Sequence, residues 1–134
     1  MKIKRDNCLL PVSEQLCSIL ETEIAKSKLG PSNGFTLNFR DPDYSSERGG
    51  FHPVEIAVCA DGSIHYITDF SYVGMPPMTE LAKEIDFDFQ LGLYRHFDRE
   101  FALLEAYGFY PVWEVNFCTY YQMGAYQVEV GEYC

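Results

Sequence analysis

Val54-Glu55-Ile56-Ala57-Val58-Cys59-Ala60-Asp61-Gly62-Ser63-Ile64-His65-Tyr66-Ile67-Thr68-Asp69-Phe70-Ser71-Tyr72-Val73 is the stretch that decides the fold. Val54, Ile56 and Val58 alternate with Glu55 and Ala57, the period of two of a half-buried strand. Ala60-Asp61-Gly62 follows at once, and Asp-Gly supplies the positive φ angles of a tight hairpin. The chain then returns from Ile64 to Val73 as a second strand. Its two faces carry Ile64, Tyr66, Phe70 and Tyr72 against His65, Ile67, Asp69 and Val73. Two strands joined by so short a turn must pair antiparallel.

The same period extends upstream, where Phe35, Leu37 and Phe39 alternate with Thr36, Asn38 and Arg40. Before it the period changes. Leu16, Ile19, Leu20 and Ile24 recur at three- and four-residue spacing and predict a helix over residues 11–28. Ser13 or Pro11 can start it, and Gly30-Pro31 stops it. Lys26 and Lys28 suit the negative end of its dipole. Downstream of the hairpin, Gly74 to Pro77 must break the pattern, because two prolines cannot both continue a ladder. Residues 79–83 read as a loop or a single helical turn. Ile85, Phe87, Phe89, Leu91 and Leu93 then alternate with Asp86, Asp88, Gln90 and Gly92, with Gly92 as a candidate bulge. Asp98 is placed to cap a short helix ending near Glu105. Pro111 fits the first turn of a helix ending near Met123, with Trp113, Phe117 and Tyr120 or Tyr121 on one face and Gly124 as its stop. Tyr126, Val128 and Val130 read as a last strand. The sum is an α+β fold over a single domain, residues 1–134. A twisted antiparallel sheet is flanked by an N-terminal helix and a late helix.

Composition narrows the function classes. Of the 134 residues, 47% are apolar, enough for a sizeable core. Twenty acids against ten bases give a formal charge of −10, which argues against nucleic acid and against an anionic membrane surface. Lys2, Lys4 and Arg5 cluster near the start and read as a solvated tail rather than a phosphate-binding arm. The cysteines, Cys8, Cys17, Cys59, Cys118 and Cys134, form no CxxC pair, so neither a zinc site nor a thioredoxin-like redox site is indicated. Cys17, Cys59 and Cys118 have apolar neighbours and read as buried thiols, while Cys8 and Cys134 lie near the ends. The apolar stretch 8–12 is too short for a secretory signal. No run approaches the roughly twenty residues of a membrane span. A reducing, cytoplasmic setting is expected.

The densest polar chemistry lies between the first two strands, over residues 38–55. Loops on a rigid scaffold are where binding groups usually sit. Arg40, Asp41, Tyr44, Arg48, Phe51, His52 and Glu55 are the candidate partner surface. Arg40, Asp41 and Arg48 can equally form an internal ion-pair and capping network that shapes the loop, with Gly49-Gly50 as a tight turn. Both readings are open. Asp86 and Asp88 share one strand face, with Glu84 as a further candidate; such a row could hold a divalent cation or act as an acid–base pair. The plainer reading is the solvent face of an amphipathic strand. His52, Glu55 and His65 approach one another if their strands pair, yet a metal site needs three or four ligands at set geometry. Ordinary loop histidines are the preferred reading, for His96 too. Ser45 and Ser46 lie near His52, but no Gly-x-Ser-x-Gly is present. Tyr110, Trp113, Tyr120, Tyr121 and Tyr126 read as core or oligomer interface rather than as a ring lining a ligand groove. The expected function is therefore a non-enzymatic acidic module, homo-oligomeric, without cofactor, that engages a protein partner. The rival is a metal-dependent or hydrolytic enzyme using His52, Glu55, His65, Asp86 or Asp88.

Residues 39–56, Phe-Arg-Asp-Pro-Asp-Tyr-Ser-Ser-Glu-Arg-Gly-Gly-Phe-His-Pro-Val-Glu-Ile, resemble the hallmark of a bacterial family of unknown function, DUF2787. Three further stretches look alike: Ile64-His65-Tyr66-Ile67-Thr68-Asp69-Phe70, Glu84-Ile85-Asp86-Phe87-Asp88-Phe89 and Tyr120-Tyr121-Gln122-Met123-Gly124-Ala125-Tyr126-Gln127-Val128. Members of that family are known from Vibrio and relatives, often on pathogenicity islands and other mobile elements. Its fold is similar to the p32 mitochondrial matrix class, acidic proteins that assemble as ring-like trimers and bind many partners. The resemblance implies such a fold, no enzyme activity and no catalytic residues. This chain is shorter than the p32 proteins and ends on a strand pattern where they carry a long helix.

Overall fold

Ser13 starts the first helix. In the computed structural model, which describes residues 1–6, 8–30 and 33–133, its hydroxyl accepts the Leu16 N–H at 3.1 Å. Helix α1 then runs Glu14–Ser27. Lys28 closes it in the left-handed conformation at φ 58°, two residues before Gly30, while Pro31 lies outside the described residues. The stripe Leu16, Ile19, Leu20 and Ile24 is buried. Each such side chain contributes about 1.5–3 kcal/mol when fully buried.

Among the described residues the strands are β1 (Gly34–Arg40), β2 (Val54–Cys59), β3 (Ile64–Val73), β4 (Glu80–Asp88), β5 (Leu93–His96), β6 (Arg99–Ala102) and β7 (Gln127–Glu132). They form one antiparallel sheet in the order β6-β5-β4-β3-β2-β1-β7. The β2–β3 hairpin turns where Asp61-Gly62 predicts. Gly62 has φ +91°, and a Cβ there would meet the Lys2 carbonyl at 2.3 Å. A 3₁₀ turn (Leu103–Ala106) leads to helix α2 (Tyr110–Gln122), with Pro111 in its first turn.

Both helices cover one face. Phe35, Leu37 and Phe39 of β1, Val54, Ile56 and Val58 of β2, and Ile67 and Phe87 point into it. The helices are tied to each other by polar contacts. Glu114 of α2 accepts the Ser13 N–H at 3.1 Å and the Tyr110 hydroxyl at 2.5 Å, and Tyr121 donates to Glu23 of α1 at 2.5 Å. Burial, more than the Glu114 charge, raises the Tyr110 hydroxyl pKa. Burial likewise pushes the thiols of Cys17 and Cys118 up, to about 11 and about 12.

Several sequence expectations change. Of the expected loop or helical turn at 79–83, residues 80–83 are strand: with residues 70–73 they form the end of the β3–β4 ribbon. Phe89, Leu91 and Gly92 lie in the turn after β4, where Gly92 has φ +69° and makes no bulge. Asp98 lies in a turn and caps no helix, and residues 99–105 form β6 and part of the 3₁₀ turn rather than one short helix. The register shifts instead between Ala57 and Val58 and between Asp69 and Phe70. The first shift puts Ile64 opposite Val58 on the helix side, not on the face of Tyr66. Asp86 and Asp88 share a face as expected, but it is not a solvent face for them: they are 7% and 8% exposed. Cys59 is only half-buried, and Cys134 lies outside the described residues.

Candidate functional site

The segment between β1 and β2 is held by short-range bonds that its own residues supply. Asp41 Oδ1 accepts the Asp43 N–H at 2.9 Å, and its Oδ2 accepts the Phe51 N–H at 3.1 Å, so one carboxylate pins both ends of the loop. Gly50 stands at φ +126°, and a Cβ there would lie 2.8 Å from that Oδ2. Ser45 and Gly49 exchange backbone bonds at 3.2 and 2.9 Å, and Ser45 Oγ takes the Arg48 N–H at 3.0 Å. Tyr44 reaches the sheet: its hydroxyl accepts the Tyr72 N–H at 3.1 Å and the two rings stack at 5.2 Å.

His52 makes the last tie. Its Nδ1 lies 2.9 Å from Asp69 Oδ1, while Trp113 Nε1–H of α2 donates to Asp69 Oδ2 at 2.9 Å. Strand pairing explains Asp69, which sits opposite Val54 and so faces the helices. Glu84 arrives differently. Asp69 pairs with Ile85 and Phe70 with Lys83, so Glu84 is the extra residue of a bulge. Bulges re-aim side chains, and Glu84 Oε1 lies 3.8 Å from His52 Nδ1. The hydrogen bond to Asp69 raises the His52 pKa against the opposing effect of burial, and the charges of Asp69 and Glu84 add to the rise.

Between this loop and α2 opens a cleft of about 340 Å³. Phe51, Trp113, Tyr120 and Tyr126 supply aromatic walls, and His52, Asp69 and Glu84 supply polar ones. Phe51 and Tyr120 meet at 4.4 Å between ring centroids, Trp113 and Phe117 at 5.3 Å. A second hollow of about 390 Å³ shares Phe51 and Tyr126 and is edged by Asp41 and Asp43. Among the described residues no lysine or arginine lines either one.

The structure sorts the candidate residues. Arg40 and Arg48 are exposed, and among the described residues neither makes an ion pair with Asp41; the loop is shaped by Asp41 and backbone bonds. Glu55 takes the Tyr66 hydroxyl and His65 pairs with the Tyr133 hydroxyl, so neither joins His52. Asp86 is occupied by the Thr68 hydroxyl at 2.7 Å and Arg95 at 2.9 Å, and Asp88 Oδ1 caps the next turn through the Gln90 and Leu91 N–H groups. His96 stacks on Phe97. Among the described residues no group of three or more His, Cys, Asp or Glu is arranged to hold a metal ion. The sequence reading missed Asp69, grouped Glu84 with Asp86 and Asp88 rather than with His52, and took Trp113, Tyr120 and Tyr126 for core or interface. Trp113 is buried, but it also forms a wall.

The chain matches no curated protein. Solved structures are more informative. A hypothetical protein of Vibrio cholerae from the VSP-II pathogenicity island is 36% identical, with a TM-score of 0.83 over 96% of this chain and 99% of that one. A conserved hypothetical protein from pathogenicity island VPI-2 of the same organism is 34% identical, with a TM-score of 0.81 over 94% of this chain and 98% of that one. The second is described as sharing structural homology with the human P32 protein. The p32-like architecture expected from the resemblance is therefore present here. The family model for DUF2787, described as a protein of unknown function, matches residues 14–131, and the chain belongs to that family.

Proposed function

We propose that this protein is a non-enzymatic, homo-oligomeric protein-binding module whose partner surface is the 40–55 loop together with the cleft beside it. The observation that carries this reading is preorganisation. Asp41, Tyr44 and His52 fix the loop, while Arg40, Asp43, Glu47 and Arg48 stay exposed on it. A loop ordered before binding loses little entropy on contact. The proposal places the protein in the cytoplasm: Cys8, Cys17, Cys59 and Cys118 are free thiols, as a reducing compartment favours. No helix among the described residues is long and apolar enough to cross a membrane. Relatives from pathogenicity islands support a mobile-element origin.

The test is capture of a partner from the host on immobilised protein, followed by affinity measurement with the purified pair. Arg48→Ala is expected to leave the melting curve in place and to weaken binding by roughly 2 kcal/mol. Unchanged affinity for Arg48→Ala and Arg40→Ala would exclude the loop. The rival enzymatic reading has one observation behind it, the His52–Asp69 pair, which resembles an oriented general base. Ser45 and Ser46 do not complete it: Ser45 Oγ serves the Arg48 N–H, and Ser46 Oγ pairs with Thr79 at 3.5 Å. Turnover of any ester or amide substrate that vanishes in His52→Gln would establish the rival.

A further inference from the structure

The cleft beside the loop has a chemistry more specific than that of a general contact surface. We propose that it is a receptor for one arginine side chain of the partner, an inference that rests on the protein-binding reading above. Its volume of about 340 Å³ lies at the small end of ligand sites, which run from roughly 300 to 1,000 Å³. That suits one side chain. The walls combine the carboxylates of Glu84 and Asp69 with the rings of Phe51, Trp113 and Tyr120. A guanidinium uses both, because it is planar, stacks on aromatic rings and meets carboxylates through paired N–H donors. An ammonium offers no flat face to the rings.

The carboxylates have capacity left for it. Among the described residues, the polar contact made by the Glu84 side chain is His52, at 3.8 Å, beyond hydrogen-bond range. Each Asp69 oxygen accepts one bond, from His52 or from Trp113, and a carboxylate oxygen has two acceptor sites. Among the described residues lining the cleft and the adjoining hollow, the charged side chains are carboxylates apart from His52. Asp41 and Asp43 edge the adjoining hollow, which meets the cleft at Phe51 and Tyr126. An extended peptide whose arginine enters the cleft would lay its neighbours across that second acidic hollow.

Trp113 is the chain's one tryptophan, so its fluorescence reports on the cleft directly. The experiment titrates the full-length protein with the capped tripeptide Gly-Arg-Gly and with Gly-citrulline-Gly, its uncharged isostere. A saturable change with the arginine peptide is expected, weaker by about tenfold or more with citrulline, as for loss of a charge-assisted hydrogen bond. Glu84→Gln should weaken the arginine peptide to a similar degree. Asn116→Arg places a guanidinium on the cleft wall from within the chain and should abolish the titration. It also decides the matter should Glu84→Gln fail to fold. No saturable change, equal response to both peptides, or an undiminished titration in Asn116→Arg would overturn the assignment. Such a failure would leave the loop standing or falling on its own affinity measurement, because that measurement reads Arg40 and Arg48, which line neither the cleft nor the hollow.

Discussion

Asp69→Asn tests the connection on which the whole site depends. Asp69 is 8% exposed and holds His52 of the loop and Trp113 of α2, each at 2.9 Å. Asparagine keeps the shape but has one acceptor oxygen, and its amide turns a donor toward the other ring nitrogen. At least one bond to a buried charge is lost, and two donors face each other wherever that nitrogen is Trp113 Nε1–H or protonated His52 Nδ1. A hydrogen bond to a charged group contributes about 1.5–3 kcal/mol, and an unsatisfied buried donor costs a comparable amount, so the loss should be about 2–4 kcal/mol. The loss carries a pH signature. The His52 pKa is raised above 6.5, first by its bond to Asp69. A raised folded-state value means that the protonated histidine stabilises the fold. That contribution is complete below the unfolded value and is lost as pH rises through the folded one. The His52 side chain is 37% exposed, so solvent screening keeps this part under about 1 kcal/mol. Urea unfolding followed by Trp113 fluorescence, at about pH 6 and about pH 8.5, measures both. His65 and His96 are common to both proteins, so the difference between wild type and variant isolates His52. The deficit of Asp69→Asn should be larger at the lower pH. A deficit below about 1 kcal/mol, or one independent of pH, would refute the keystone role.

Tyr44→Phe should cost about 1 kcal/mol by deleting the acceptor for the Tyr72 N–H, whereas Arg48→Ala should stay within about 0.5 kcal/mol in the same thermal melts. The protein should self-associate, because Val112 and Val115 of α2 are 58% and 63% exposed and apolar surface of that kind is commonly covered by a symmetric copy. Light scattering over a concentration series checks this, with a constant monomer mass as the refuting result and Val115→Asp expected to shift the protein toward monomer. DNA and RNA should bind weakly at physiological salt, given the formal charge of −10; sub-micromolar affinity with a steep salt dependence in a filter-binding assay would overturn that.

What the sequence makes legible is whatever a single buried face imprints on it. Phe35, Leu37 and Phe39 are 3%, 0% and 0% exposed, and their alternation was readable because the partner residues Thr36 and Asn38 face away from the helices. The Asp-Gly hairpin and the Pro111 helix start were readable because backbone chemistry demands those residues. Residues 80–83 carry no such imprint. They pair with residues 70–73, where the buried residue is the polar Ser71, so no apolar period of two is selected. The same holds at the sheet edge in β6, where Arg99 and Glu100 are exposed. Asp86 and Asp88 show the opposite case. The alternation gave their shared face correctly, but it does not register that Thr68, Arg95 and a following turn occupy the carboxylates.

The site was less legible than the fold for a geometric reason. His52 and Asp69 are related by the β2–β3 pairing, so the hairpin alone brings them near, and that half could be anticipated once Asp69 was placed on the face of Ile67. Trp113 comes from the far side of the chain and no local pattern predicts which strand it will meet. Glu84 is the more instructive residue. By strict alternation from Ile85 it belongs on the face away from the helices. The shift between Asp69 and Phe70 removes it from the ladder and turns it toward His52. A register shift is invisible to a periodicity argument, which assumes an unbroken count. The cleft therefore depends on an irregularity of the sheet, and its carboxylate would be displaced by any change that restored a regular β3–β4 pairing. Deleting Lys83 is such a change: it would bring Glu84 opposite Phe70 and face it away from the cleft. The protein should then keep its β-sheet circular dichroism yet lose the arginine-dependent response of Trp113. Retention of that response with Glu84 back in the ladder would show that the bulge has no part in recognition.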